Sequence, residues 1–139
     1  MSPSYHHGYV CSKLIAALSS VPDITVFTEL TLQIEDKDYV PDICLYPKRE
    51  INLTGKDILR MTEMPLAVIE ILSPTQAAQE LLDKFDRYFQ AGIRSCWLVT
   101  PFAQTVSVYQ SSSQAAVFHN EKIHDPALQI ELEWRAIFL

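Results

Sequence analysis

Between residues 66 and 100 an apolar run, an amphipathic stripe and a second apolar run follow one another, and that succession leaves few folds open. The first run lies within PLAVIEILSP (residues 65–74) and is apolar enough to be a strand covered on both faces. Ala78, Leu81, Leu82, Phe85, Tyr88 and Phe89 then recur at helical spacing; Pro74 or Thr75 can open this helix and Gly92 supplies its C-terminal stop. SCWLVTP (95–101) reads as a second, central strand. Strand, helix and strand in this order imply a parallel pair joined by a right-handed crossover.

The remaining segments add to that unit. Val10, Leu14, Ala17, Leu18 and Val21 mark one face of a helix running from Ser4 to Ser20 and ending near Pro22 and Asp23. TVFTELTLQI (25–34) alternates, with Val26, Leu30, Leu32 and Ile34 on one side and Phe27, Glu29 and Thr31 on the other; it predicts one strand, with EDKDY (35–39) as its turn. VPDICLYP (40–47) predicts a strand beginning beside Pro41, whose nitrogen cannot donate to a ladder. Residues 48–64 are polar and irregular, a surface excursion with a short helical piece expected in GKDILRMTEM. After Pro101, TVSVYQS is expected as a half-exposed strand, AAVFHN as a hairpin-like strand and LQIELEWRAIF as a final amphipathic piece. The expected order is α-β-β-β-α-β plus additional C-terminal strands, an α/β or α+β class built on a mixed central β-sheet.

The 139 residues, 48% hydrophobic and 20% charged, suit one soluble domain over 1–139 with a single sizeable core. No apolar run reaches the roughly 18 residues that cross a bilayer, and MSPSYHHGYV lacks the features of a secretory signal, so a cytoplasmic protein is expected. Cys11, Cys44 and Cys96 are odd in number and set among apolar neighbours, as reduced core thiols are. With 11 Lys plus Arg against 17 Asp plus Glu the net charge is -6, so a polyanionic substrate has to be met locally, by clustered cations or bound metal.

Two acids fall inside predicted strands among apolar neighbours: Asp42 beside Ile43, and Glu70 between Ile69 and Ile71. Carboxylates brought together in such a place repel, and the remedies are a raised pKa, a cationic partner or a divalent metal. Lys84 lies one helical turn from both Glu80 and Tyr88, on the border of the stripe that faces the sheet, from where its stem can reach toward the strand ends. Glu70 and Lys84 can also be read as a buried salt bridge, Glu29 as a third site acid or a solvated strand residue, and His7 as a substrate contact or a partly exposed helix histidine. Tyr88 reads as core, continuing the stripe of Leu81 and Phe85.

Pro41-Asp42, Glu70-Ile71-Leu72 and Lys84 together resemble the PD-(D/E)XK nuclease superfamily, specifically the bacterial putative restriction endonuclease family whose catalytic lysine has migrated to the helix. The resemblance extends over His7 with Val10 and Leu14, VPDICLY, PLAVIEILSPT, DKFDRYFQAGI and CWLVTP. It implies a restriction endonuclease-like core of mixed strands flanked by helices. Asp42, Glu70 and the Ile71 carbonyl would hold Mg²⁺ or Mn²⁺, Lys84 would be the catalytic lysine, and DNA the substrate. Leu72 stands where the superfamily pattern has its lysine, and Thr100 where relatives often carry an aspartate. Enzymes cutting both strands of a duplex often work as pairs, so a homodimer is expected, with Val106, Val108 and Tyr109 as candidate contact residues.

Overall fold

The computed structural model describes residues 3–139. Helix α1 (Tyr5–Leu18) is followed by strands β1 (Ile24–Thr28), β2 (Leu32–Ile34), β3 (Lys37–Tyr39), β4 (Ile43–Pro47) and β5 (Ala67–Ile71). Then come α2 (Ala78–Gln90), β6 (Ser95–Thr100), β7 (Thr105–Ser111), β8 (Gln114–Phe118), β9 (Ile123–Asp125), β10 (Ile130–Leu132) and α3 (Trp134–Phe138). Six strands form the central sheet in the order β1-β4-β5-β6-β7-β8. Within this sheet, among the described residues, β5 and β6 pair in parallel and every other neighbouring pair is antiparallel, giving the mixed sheet that the strand-helix-strand succession demands.

Strand alternation decides what each helix covers. Ala67, Ile69 and Ile71 of β5 pack with Val10, Leu14 and Leu18 of α1, and α3 joins this side through Trp134, Ile137 and Phe138. Val68 packs on the opposite side with Leu81, Phe85 and Tyr88 of α2. Glu70 has the parity of Val68 and therefore belongs to the α2 side. Val106 and Val108, expected as contact residues for a second subunit, are instead core, 0% and 2% exposed, because β7 lies inside the sheet and its apolar face is covered.

The segment 25–34 is two strands rather than one. The chain turns at Glu29, whose φ of +52° is left-handed, and β2 pairs with β3 in a small hairpin. Glu35 and Asp36, at φ +48° and +64°, supply the two left-handed residues of a tight hairpin turn, so Lys37 to Tyr39 are strand, not turn. Alternation alone could not reveal the break, since both halves obey it. No helix forms in 55–64: the Met61 N–H donates to the Thr31 carbonyl at 2.8 Å and the Met61 carbonyl accepts from the Gln33 N–H at 2.9 Å, so this backbone is spent on β2. Helix α2 begins at Ala78, later than Pro74 or Thr75, because Ser73 to Gln76 close a turn of their own, with a 3.0 Å bond from the Gln76 N–H to the Ser73 carbonyl. Gly92 ends it at φ +98°, a conformation that favours glycine.

A buried acid in β9 escaped the sequence reading. Asp125 is 0% exposed, and its carboxylate accepts bonds from Ser95 Oγ (3.0 Å), Trp97 Nε1 (2.8 Å), Gln110 Nε2 (3.3 Å) and the Ala127 and Leu128 N–H groups (3.0 and 3.3 Å). Each donor meets an acceptor-only group, and this satisfaction lets a charge stay buried. Asp125→Asn puts an NH₂ against at least one of these donors and is expected to cost about 2 kcal/mol, read by urea unfolding.

Candidate active site

The β4–β5 register places Ile43 opposite Ile69, so one step further along the pair Asp42 meets Glu70. Asp42 sits just ahead of β4 rather than within it. There the two side chains stitch the strand ends together: the Asp42 N–H donates to Glu70 Oε1 at 3.3 Å, and the Ile71 N–H donates to Asp42 Oδ2 at 2.8 Å. Buried strand ends need partners for their backbone groups, and here the acids supply them.

Two more residues hold this pair from opposite faces of the sheet. From α1, His7 Nε2 lies 3.2 Å from Asp42 Oδ2, while the His7 N–H is capped by Ser4 Oγ at 3.1 Å. His7 is 8% exposed, not half in solvent, because it stands three and seven residues before Val10 and Leu14 on the buried stripe of the helix. From α2, the Tyr88 hydroxyl donates to Glu70 Oε2 at 3.0 Å. Tyr88 is core, as its spacing predicts, and it is also a site residue. The available signal was a tyrosine where leucine or phenylalanine would fill the stripe, since a buried phenol needs a partner for its O–H.

His7, Glu29, Asp42, Glu70, Ile71 and Lys84 all line one cavity of about 290 Å³. Glu29 arrives there by the turn that ends β1, not by strand alternation; it is exposed, and its N–H donates to the Asp42 carbonyl at 3.2 Å. Lys84 is half-buried and, among the described residues, forms no ion pair within 4.0 Å, so the buried Glu70–Lys84 salt bridge does not form. Glu70 is 4% exposed, and its carboxyl pKa is pushed up to about 7. Burial is the main cause and the Asp42 charge adds to it; the Lys84 charge, the Tyr88 hydroxyl and the Asp42 N–H pull the other way.

A site with three acids, one lysine and one histidine, in which an acid clings to its proton near neutrality, is short of positive charge. Among the described residues no three His, Cys, Asp or Glu side chains converge as a metal cage. Two carboxylates and a carbonyl are all oxygen donors, which does not suit zinc with its preference for Cys and His, and they are few for calcium; they suit Mg²⁺, which takes one or two carboxylates and keeps several waters. Both contacts of Asp42 fall on Oδ2, and among the described residues Oδ1 accepts none, so lone pairs are left for a cation. The donor set fits a hard divalent ion.

A family model described as putative restriction endonuclease matches residues 1–136. Solved structures that match include a putative nuclease from Anabaena variabilis, at 25% identity and a TM-score of 0.79, covering 99% of this chain and 83% of that one. No curated protein matches.

Proposed function

Because the chain belongs to the family described as putative restriction endonuclease, we propose that it is a metal-dependent endonuclease that hydrolyses DNA phosphodiester bonds. Asp42, Glu70 and the Ile71 carbonyl would hold Mg²⁺ or Mn²⁺. The observation that carries this reading is one cavity bringing Asp42 and Glu70 together with Lys84, which among the described residues forms no ion pair. A bound divalent ion supplies Lewis-acid polarisation of the phosphate and a more acidic water.

The chain's own residues do the rest. His7 and the Ile71 N–H fix Asp42, and Tyr88 with the Asp42 N–H fixes Glu70, so both carboxylates keep one orientation without reorganising as charge develops. The Lys84 ammonium, free of any ion pair among the described residues, donates to a phosphate oxygen or to the attacking water. Glu29, at the mouth, accepts a proton from that water or orients it. The free thiols of Cys11, Cys44 and Cys96 suit the reducing cytoplasm.

The test has two readouts. Mn²⁺ is expected to raise the wild-type Tm by several degrees and to leave Asp42→Asn unmoved, as a ligand binding only the folded state must. Cleavage of plasmid and single-stranded DNA is expected to require the metal and to fall at least ~10³-fold in the same variant. Undiminished cleavage by Asp42→Asn overturns the assignment. A metal shift without any cleavage would instead make the chain a nucleic-acid-binding or regulatory module on this fold.

A further inference from the structure

Beside the acidic cavity a second hollow of about 280 Å³ opens among the start of α1, the β5–α2 loop and the turn after β6. Ser73 and Gln76 line both hollows. Leu72, Pro74 and Pro101 give the second one apolar walls, and Phe102, 86% exposed, stands on it. His6 also lines it, with the Tyr5 ring 5.8 Å away and tilted by 50°, and Tyr5 is 91% exposed. Phe102 and His6 on the wall, with Tyr5 beside His6, offer ring faces on which a flat occupant can stack.

Charge narrows the choice. The chain is at -6, and among the described residues the acidic cavity holds one lysine and no lysine or arginine lines the second hollow. Binding led by phosphate contacts and counterion release is therefore weak here, and contacts to the bases have to supply affinity. Stacking on aromatic rings is worth about 1–3 kcal/mol per base and needs no cation. The hollow suits a single base, and bases within a duplex have both faces covered by neighbours.

We propose that this hollow is a nucleobase subsite, in which an unpaired base next to the scissile phosphate stacks on Phe102 beside the Tyr5–His6 pair, so that the enzyme prefers single-stranded or unpaired substrate to duplex. On the polar side of the hollow the Ser73 N–H donates to Gln76 Oε1 at 3.4 Å, which leaves the Ser73 hydroxyl, the Gln76 NH₂ and the His6 ring for the base edge. The inference rests on the nuclease reading and adds to it the substrate class.

Fluorescence anisotropy with a labelled dodecameric oligothymidine and its oligoadenosine duplex, in metal-free buffer over a range of salt, tests it, followed by cleavage of both in Mn²⁺. The single strand is expected to bind more tightly, with a salt slope of only one or two phosphate contacts. Phe102→Ala should weaken it about 10-fold, and Phe102→Trp should retain wild-type binding. Phe102 is exposed, so loss of fold does not confuse the result. Equal or tighter duplex binding, or single-strand binding indifferent to Phe102→Ala, overturns the subsite while metal-dependent cleavage keeps the nuclease reading alive. If neither form is bound or cleaved, the nuclease reading falls and the subsite with it.

Discussion

Glu70→Gln is expected to stabilise the metal-free protein at pH 8 by about 3 kcal/mol, a Tm rise of about 9 °C, while cutting DNA cleavage at least ~10³-fold. The carboxyl holds its proton up to about 7 in the folded chain and only to its ordinary 4.5 when unfolded. Between those values the folded state binds a proton that the unfolded state has released, so stability falls as pH rises from 4.5 to 7 and stays low above. Glutamine reproduces the neutral form at every pH. Its carbonyl can accept the Asp42 N–H and its NH₂ can donate to the Tyr88 oxygen, since a hydroxyl can turn from donor to acceptor. Unfolding in chelator should give a variant-minus-wild-type difference near zero at about pH 4.5 that grows to its full size by about pH 8. A difference flat across that range would contradict the buried, proton-holding glutamate.

With Mn²⁺ the order of stability should reverse. On the proposed ligation the wild type would gain through Asp42 and Glu70, whereas the glutamine variant would lack a charged ligand and gain little. A residue that destabilises the empty protein and is needed only when the site is filled is what a binding site looks like in energetic terms, as opposed to a structural carboxylate such as Asp125. Asp125 is also fully buried, but its five donors all come from the chain itself.

These two buried acids also mark how far the sequence could be read. Glu70 stands out because it interrupts an apolar run in a five-residue central strand buried along its whole length. Asp125 sits in a three-residue strand, IHD, too short for any period to declare itself, and its side-chain partners Ser95, Trp97 and Gln110 lie 15 to 30 positions away in sequence. The central strands and both long helices were legible because burial imposes a pattern on them. The β2–β3 hairpin and the break at Glu29 were not, since left-handed turns built from Glu and Asp instead of Gly or Asn carry almost no signal. Of the site, Asp42, Glu70, Lys84, Glu29, His7 and Ile71 were named from sequence and line one cavity, yet only the register explains why Asp42 and Glu70 meet, and register is a tertiary fact. Tyr88 was assigned to the core and does both jobs, because helical spacing reports where a ring goes and says nothing of its hydroxyl.

Lys84→Ala is expected to lower turnover about 10²–10³-fold, the scale of losing one preorganised donor, while leaving the Mn²⁺-induced Tm shift intact. The sharper experiment adds Leu72→Lys to that variant. Leu72 lies two residues beyond Glu70, where the superfamily pattern has its lysine, so its side chain continues on the same side of the chain. It is half-buried against the α2-side cluster and lines the hollow next to the acids, leaving an aliphatic lysine stem something to cover while the ammonium reaches past Ser73. Loss of leucine packing should cost about 1–2 kcal/mol, small enough for a folded, metal-binding protein. If a cation at this spot is what the chemistry requires, the double variant recovers cleavage over Lys84→Ala by at least ~10-fold, and its pH profile follows that of the wild type. A folded, Mn²⁺-responsive double variant no faster than Lys84→Ala would mean that the helix supplies more than a charge. The geometry of Lys84 on α2, one turn before Tyr88 and its bond to Glu70, would then be part of the catalytic device.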